Sequence, residues 1–329
     1  MFIIGYKRSG TTLLRLILNR SSGIFIPEES SYIQRIPVVL KKNYSNVKCL
    51  EELASSIPGS LYHPYIDWEL YKSTLSQNLP ATHDKIIGAL YQTYAALSGK
   101  ENARWGDKKP QHWQFIYRLR EWYPDSQYIH IVRNPNDTVA SIIQYTANND
   151  TKLTQHEFVY KIPGVPPHII LAWHISHAYK TSCTQGETLG SKRYLQVRYE
   201  DLAQAPREEM LQVCRFLNVD TNEIDYMLGF QEDAANSRIM GSGDANSAHM
   251  KETRKAVNSS RVGRHKTLLT ADQAGEVEFI CRRLYREMRY EATSATPSLL
   301  AKLKCRIICN LLDIVWVGVR VSRRLRGSL

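Results

Sequence analysis

Three segments of the chain share one pattern of apolar and polar positions. Each begins with a short apolar run rich in strand-forming residues, continues with polar residues and then shows apolar positions at helical spacing. The runs are Phe2–Gly5, Tyr128–Val132 and Tyr194–Val197, and the first two lead into helical patterns at Thr11–Asn19 and Pro135–Tyr145. This alternation predicts an α/β fold with a central, mostly parallel sheet flanked by helices. In such sheets, ligands bind beyond the carboxyl ends of the strands.

The segments between these units predict further elements. Residues 31–101 are rich in tyrosine, leucine and polar residues, with helical spacing in places, and we expect a helical insertion over the site. A further strand is expected at Ala103–Gly106, followed by a helix over Gln111–Trp122 that ends before the next proline. Three prolines and one glycine in Gln155–Pro167 indicate a loop or lid.

The end of the chain differs in character from the rest. From Ser298 onward, apolar positions at helical spacing alternate with basic residues, and Asp313 divides the apolar runs. Those runs are shorter than the roughly 18 apolar residues that a membrane-spanning helix needs. We therefore expect one domain over residues 1–297 and a basic amphipathic helical tail over 298–329. The tail could dock on the domain, form a homodimer or make peripheral contact with a membrane.

Composition narrows the classes of partner. The 43 Lys and Arg residues outnumber the 32 Asp and Glu residues and give a formal charge of +11, which suits a polyanionic ligand, a nucleic acid or an anionic membrane. The basic residues are dispersed except in the tail, so no nucleic-acid partner is expected. The six cysteines form no C-x-x-C pair, which predicts neither a disulfide framework nor a zinc module. With an N-terminal apolar run too short for a signal peptide or anchor, these features predict a cytoplasmic protein.

The loop after the first strand has the composition of an anion site. It reads G-Y-K-R-S-G-T-T from Gly5 to Thr12, and the N–H groups and dipole of a helix N-terminus bind phosphate. The loop has the G-x-x-x-x-G frame of a Walker loop, but Thr11 stands where an NTPase carries its lysine. The basic side chains of Lys7 and Arg8 favour a nucleotide phosphate as the ligand. A P-loop kinase or NTPase is the alternative.

A second candidate anion site follows the strand at Tyr128–Val132. Arg133 ends this strand, and Ser141 lies eight residues later, about two helical turns away. The guanidinium and the hydroxyl can therefore reach one patch. Arginine suits such a site because it donates two parallel hydrogen bonds to phosphate oxygens and keeps its charge.

Candidate bases and a candidate lysine lie in two other segments. Glu28 and Glu29 follow the mostly hydrophobic run Ile24–Pro27, and partial desolvation there would raise the pKa of a carboxylate toward the range of a general base. Adjacent side chains point in different directions, so at most one is expected to be catalytic. Lys108 follows the strand predicted at Ala103–Gly106.

These motifs resemble those of sulfotransferases that use 3′-phosphoadenosine 5′-phosphosulfate (PAPS). The sequence R-S-G-T-T-L-L from Arg8 is similar to the 5′-phosphosulfate loop of that family. Arginine at this position, with the later P-E-E-S segment, resembles the tyrosylprotein sulfotransferases and related bacterial enzymes. The resemblance covers about residues 1–270. It implies a P-loop-like sulfotransferase fold, PAPS as the donor, 3′,5′-ADP as the product and no metal.

The resemblance also implies roles for individual residues. Arg133 and Ser141 match the motif that binds the 3′-phosphate, Tyr199 in Y-E-D-L would lie near the adenosine, and N-S-S-R-V-G-R-H-K resembles the final donor-binding loop. Glu29 takes the position of the base, and Lys108 with Arg8 that of the cations at the transferring group. The implied donor-binding set is Arg8, Ser9, Gly10, Thr11, Thr12, Leu13, Arg133, Ser141, Tyr199, Ser260, Arg261 and Lys266.

The resemblance leaves the base and the acceptor open. Cytosolic sulfotransferases use a histidine a few residues past a similar lysine, which makes His112 the rival of Glu29, with Glu28 as a further alternative. Tyrosylprotein enzymes are luminal and anchored, features that this sequence does not predict. We therefore expect the acceptor to be a hydroxyl or amine of a small molecule or of a glycan- or lipid-linked compound, as in bacterial natural products. Sulfation of protein tyrosine is the alternative.

Overall fold

Parallel β-strands form the centre of the molecule. The structure is a computed structural model that describes residues 1–27, 29, 33, 68–77, 82–148, 162–234, 256–293 and 295–325. Within these residues the strands are β1 (Phe2–Gly5), β2 (Ile24–Phe25), β3 (Arg104–Trp105), β4 (Asp107–Lys108), β5 (Tyr128–Val132) and β6 (Tyr194–Arg198). Four strands form one parallel sheet in the order β4-β1-β5-β6, and β2 pairs in parallel with β3 in a second sheet. The predicted α/β fold is confirmed.

The helices follow the strands as the apolar spacing predicts. The α-helices in the described residues are α1 (Thr11–Arg20), α2 (Trp68–Ser76), α3 (His83–Leu97), α4 (Ile116–Trp122), α5 (Pro135–Asn148), α6 (Pro167–Glu187), α7 (Tyr199–Gln204), α8 (Pro206–Leu217), α9 (Ile224–Leu228), α10 (Gln231–Ala234), α11 (His265–Leu268), α12 (Ala271–Ile280), α13 (Arg282–Glu287) and α14 (Leu299–Leu325). Short 3₁₀ helices lie at Pro110–Gln114 and Thr221–Glu223.

Both faces of the main sheet are covered, which is why its strands read as continuous apolar runs. Ile3, Ile129 and Val197 pack on one face against α1, α8 and α9. Phe2 and Ile4 pack on the other face against α3 and α4. A third apolar cluster lies among α5, α6, α12, α13 and α14. The core therefore fixes the strands between helices and leaves only their carboxyl ends for a site.

Two predicted elements differ in detail from the structure. The strand expected at Ala103–Gly106 is the two-residue β3, and after Gly106 the chain forms β4 at the edge of the main sheet. Lys108 therefore belongs to the sheet instead of following a strand. The helix expected over Gln111–Trp122 is divided, because Phe115 adopts a non-helical conformation between the 3₁₀ turn and α4. Helix α4 ends before Pro124, as predicted.

The segments predicted as an insertion and a lid are described in part. Helices α2 and α3 lie within the expected insertion, and α3 packs on the sheet through Ile86, Leu90 and Tyr94. Of the segment Gln155–Pro167, the structure describes residues 162–167, where a turn leads into α6. Glu28 lies outside the described residues.

The predicted C-terminal tail is a single helix, α14. Cys305 and Leu312 are buried where α14 packs against α6 and α12. The helix is therefore docked on the domain along one side. Among the helices that the structure describes, none is long and apolar enough to cross a membrane.

Candidate active site

The loop between β1 and α1 presents the N-terminus of α1. Gly10 caps this helix in a left-handed conformation (φ 98°), and a Cβ there would lie 2.5 Å from a ring carbon of Tyr199. The cap has no side-chain hydrogen bond, and the first turn holds no acidic residue. The first N–H groups of a helix lack intrahelical partners. The N-terminus of α1 therefore has the free N–H groups and the open backbone that anion binding requires.

Three arginines converge beside this loop. Arg8, which has φ 68°, donates from Nε to Oγ of Ser141 at 3.3 Å, and its guanidinium lies 5.1 Å from the ring centroid of Tyr145. Arg133 donates to the backbone carbonyls of Arg8 (3.0 Å) and Arg261 (2.6 Å). Arg133 thereby joins the two loops on which the other arginines lie.

The arginine cluster is electrostatically strained. Burial, together with the nearby charges of Arg261 and Arg133, lowers the pKa of Arg8 to about 10. Arg133 is 5% exposed, its guanidinium lies 4.6 Å from the ring centroid of Tyr199, and its Nε is buried without a hydrogen-bond partner. Like charges held together with an unsatisfied donor cost free energy that a bound polyanion would relieve.

Asp137 fastens the loop that carries Arg261. Its carboxylate accepts hydrogen bonds from the N–H of Gly263 (2.7 Å) and of His265 (2.9 Å), and lies 2.8 Å from the His265 Nδ1. Burial opposes ionisation of Asp137, but these hydrogen bonds and Arg133 hold its pKa below the ordinary value. Sequence reasoning did not assign Asp137. An acidic residue in the first turn of α5 was the available signal, but it is also typical of an ordinary helix N-terminus.

Lys108 brings a buried cation to the opposite side of the loop. It is 3% exposed, donates to the Thr12 hydroxyl at 3.2 Å and is ion-paired with Glu29. Burial lowers the pKa of Lys108 and Arg15 adds to this effect, whereas Glu29 opposes it. The Glu29 side chain is 43% exposed, so this carboxylate is partly open to solvent.

His112 faces the core and not the loop. It is 1% exposed, and its ring contacts Phe2 edge-on at 5.8 Å between centroids. Its Nε2 lies 3.3 Å from the Asp107 carboxylate, which also accepts a hydrogen bond from the Tyr91 hydroxyl at 2.7 Å. Burial opposes ionisation of Asp107, but His112 and Tyr91 hold its pKa below the ordinary value. Of the two described candidate bases, Glu29 is the accessible one.

The motifs and this geometry agree with a comparison against protein families. A family model described as "Sulfotransferase family" matches residues 1–223. The chain belongs to this sulfotransferase family. The match covers the β1–α1 loop, β4, β5 and β6, but it ends before the loop that carries Arg261.

Two curated proteins are similar to this sulfotransferase-family chain. Nodulation protein NoeE of Sinorhizobium fredii (strain NBRC 101917 / NGR234) is 23% identical over 299 residues, which are 88% of this chain and 65% of that protein. Protein-tyrosine sulfotransferase A of Caenorhabditis elegans is 24% identical over 219 residues, which are 67% of this chain and 50% of that protein. The chain thus spans between half and two thirds of the length of these relatives.

Two solved structures share the sulfotransferase fold of this chain. The sulfotransferase domain from the curacin biosynthetic pathway aligns with a TM-score of 0.57 and 22% identity, over 89% of this chain and 98% of that domain. The sulfotransferase domain from the Synechococcus PCC 7002 olefin synthase aligns with a TM-score of 0.56 and 20% identity, over 89% and 94%. The predicted sulfotransferase fold is confirmed.

Not every candidate from the sulfotransferase motifs meets the others in the structure. Ser260 is exposed, and its hydroxyl is hydrogen-bonded to Asn258. Lys266 is exposed on α11, whereas its neighbour His265 is buried against Asp137. Ser9 is buried in the loop and donates its N–H to the Tyr6 carbonyl, while Leu13 packs into the core beneath it. The spacing of residues in the sequence does not predict these differences, because they depend on loop conformation.

An aromatic cluster behind the loop was not predicted from the sequence. The Tyr6 hydroxyl lies 2.9 Å from Nδ1 of His174, and burial lowers the pKa of His174 to about 3, which keeps its ring neutral. Trp316 of α14 contacts His174 edge-on at 5.5 Å and stacks on Trp113 at 6.3 Å. The cluster therefore connects the C-terminal helix of this sulfotransferase-family chain to the loop between β1 and α1.

Proposed function

We propose that this chain transfers a sulfuryl group from PAPS to a hydroxyl or amine of a small-molecule or glycan- or lipid-linked acceptor. The observation that carries the proposal is the convergence of Arg8, Arg133 and Arg261 at the N-terminus of α1. A nucleotide with phosphate groups at both its 3′ and 5′ positions would pair with such a cluster.

The residues present suit such a donor. The uncapped N-terminus of α1 suits the 5′-phosphosulfate, and Gly10 permits a close approach to the backbone. Arg133 and Ser141 suit the 3′-phosphate, because the buried Nε of Arg133 has a hydrogen to donate and no acceptor. The ring of Tyr199 already supports the Arg133 guanidinium and would lie near the adenosine.

When bound, PAPS supplies a sulfuryl group joined to a phosphate that leaves as 3′,5′-ADP. Lys108 and Arg8 would stabilise the negative charge that develops during transfer, because both are positively charged groups buried beside the α1 N-terminus. The Thr12 hydroxyl holds Lys108 at the start of that helix. Positioning and charge would provide most of the rate enhancement, as they do in phosphoryl transfer.

Glu29 would accept the proton of the acceptor. In the structure its carboxylate is paired with Lys108. When Lys108 turns to the departing phosphate oxygen, this pair opens and Glu29 is free to act as a base. One S–O (or S–N) bond to the acceptor forms, the S–O bond to the phosphate breaks, and the acceptor proton moves to Glu29.

Calorimetric titration with 3′,5′-ADP, 5′-AMP and ATP with Mg²⁺ at fixed salt tests the donor assignment. We expect 3′,5′-ADP to bind more tightly than 5′-AMP. Arg133→Ala should remove that preference, because the 3′-phosphate loses its bidentate donor. The matched control is Arg207→Ala, since Arg207 is an exposed arginine paired with Asp225. Preference for ATP would contradict the proposal and favour the kinase or NTPase alternative.

The acceptor class is tested by turnover with PAPS. Release of 3′,5′-ADP is measured with small-molecule alcohols and amines, glycolipids and a tyrosine peptide. Stimulation by the first two classes supports the proposal. Stimulation by the peptide alone would replace it with protein tyrosine sulfation, the activity in the name of the Caenorhabditis elegans relative.

A further inference from the structure

The helix α14 has two apolar sides, and only one of them is covered. Cys305 and Leu312 lie on the inner side, against α6 and α12. The opposite side carries apolar residues at intervals of three and four positions, which place them in one line along a helix. Each of these residues is between 52% and 77% exposed. This outer stripe consists of Leu300, Leu303, Ile307, Leu311 and Ile314.

Basic residues border the outer stripe. At 100° per residue, Arg306 lies on one border of the stripe and Lys304 lies on the other. The sequence of α14 contains six basic residues and one acidic residue, Asp313. An apolar stripe with cations at its borders is the arrangement that places a helix in the interface of a bilayer.

A cationic cavity opens beside the same border. It has a volume of about 320 Å³ and lies between α6, α12 and α14. Lys180, Arg282 and Arg306 contribute to its lining, and none of the three forms an ion pair within the part of the chain that the structure describes. Asp313 also lines the cavity, and its carboxylate accepts a hydrogen bond from Trp173 Nε1 at 2.9 Å. The cavity therefore offers positive charge next to an apolar surface.

The charges distinguish between two occupants of the stripe. A second copy of α14 laid against the first would bring its basic borders against basic borders, with one acidic residue per helix to offset them. An anionic lipid surface is complementary to both the stripe and its borders. The charge pattern therefore favours lipid over a second copy of this chain.

We propose that α14 binds the surface of an anionic bilayer. The helix lies flat, with its inner side on the domain and its outer stripe among the acyl chains. Lys180, Arg282 and Arg306 hold the phosphate of a lipid headgroup in the cavity beside the stripe. Because Trp316 of the same helix packs on the aromatic cluster behind Tyr6, the docked domain would hold its phosphate loop at a fixed position above the membrane.

Vesicle flotation of the full chain tests this proposal without any assay of activity. We expect binding to phosphatidylcholine vesicles that contain phosphatidylglycerol, little binding to phosphatidylcholine alone, and weaker binding as salt is added. Leu303→Ser with Ile307→Ser and Leu311→Ser should lower vesicle affinity by about a hundredfold, since three half-exposed apolar side chains no longer enter the lipid. The matched control, Leu303→Met with Ile307→Val and Leu311→Met, should bind as the wild type does.

The cavity is tested separately from the stripe. Arg282→Gln with Arg306→Gln should lower affinity for the anionic vesicles by roughly 25-fold, at about one factor of five per charge. Inorganic phosphate is the competing probe. If the protein stays on the anionic vesicles in millimolar free phosphate, the phosphate group that the cavity binds comes from the lipid. We expect every variant to fold, because every altered side chain is exposed. Circular dichroism and thermal midpoints check this.

Three results would overturn the proposal. The first is wild-type protein that does not float with anionic vesicles. The second is a serine variant that floats as well as the wild type. The third is a concentration-dependent dimer that the serine substitutions dissociate, with no vesicle binding, which would assign the stripe to a second copy of the chain.

Discussion

Gly10 lies against the ring of Tyr199 at the start of α1, and alanine at this position should lower stability and disturb the proposed donor site. Two costs combine in Gly10→Ala. The left-handed conformation at φ 98° disfavours any residue with a Cβ. The new methyl group would also lie 2.5 Å from the Tyr199 ring, where ordinary contacts begin near 3.4 Å. The ring must therefore move by roughly 1 Å, and it is the ring on which Arg133 rests.

The magnitude follows from these two costs. Left-handed strain contributes roughly 1–2 kcal/mol. Overpacking against a buried ring contributes roughly 1–3 kcal/mol. Gly99→Ala is the matched control, because Gly99 has φ 69° and no atom within 4 Å of the new Cβ. Gly10→Ala should thus lower the free energy of unfolding by about 2–5 kcal/mol and Gly99→Ala by about 1–2 kcal/mol.

Urea unfolding of the two variants measures the difference, and calorimetry with 3′,5′-ADP measures the site. Affinity for 3′,5′-ADP should fall about tenfold in Gly10→Ala, because the Tyr199 ring that contacts the Arg133 guanidinium moves. It should stay unchanged in Gly99→Ala. In a Tyr199→Ala background, the added cost of Gly10→Ala should drop to that of Gly99→Ala, since the clash is gone. Equal destabilisation by Gly10→Ala and Gly99→Ala would refute the steric argument.

Two further predictions concern carboxylates. Glu29→Gln should lower kcat by roughly 10²–10⁴-fold with unchanged affinity for 3′,5′-ADP, and unchanged turnover would remove Glu29 as the base. Asp137→Asn should destabilise the protein at neutral pH, because the pKa of Asp137 is held below its ordinary 3.8 in the folded chain. That stabilisation is present above pH 3.8 and is lost as the pH falls through the lowered pKa. The gap in thermal midpoint between wild type and Asp137→Asn should therefore be constant near neutrality and narrow below about pH 4, and a gap that is independent of pH would contradict the assignment.

The sheet was predictable because burial on both faces leaves a strong signal. The runs at Phe2–Gly5 and Tyr128–Val132 are strands with the predicted bounds, and the third strand extends one residue past Val197. The edge strand β4 gave no such signal, because it has two residues and both are charged. Its position depends on pairing with β1, which is a long-range contact that no local pattern encodes.

Part of the geometry of the candidate site was predictable from the motifs that follow β1 and β5. Arg8, Arg133 and Ser141 meet as their motifs suggested. The ion pair of Glu29 was not predictable, because its partner Lys108 lies 79 residues away. Burial of His112 likewise depends on the ring of Phe2 and on Asp107, which only the fold brings together.

The contacts of α5 show that the folding unit extends past the residues that the family model matches. The match ends at residue 223, whereas Asp137 is satisfied by Gly263 and His265. Asn136 donates to Glu278 at 3.0 Å, and Val277 is buried against the same apolar cluster. A fragment cut at residue 223 would expose that cluster to water and leave a buried carboxylate unsatisfied. Anyone who transplants this domain into another protein has to carry the segment after residue 256 with it.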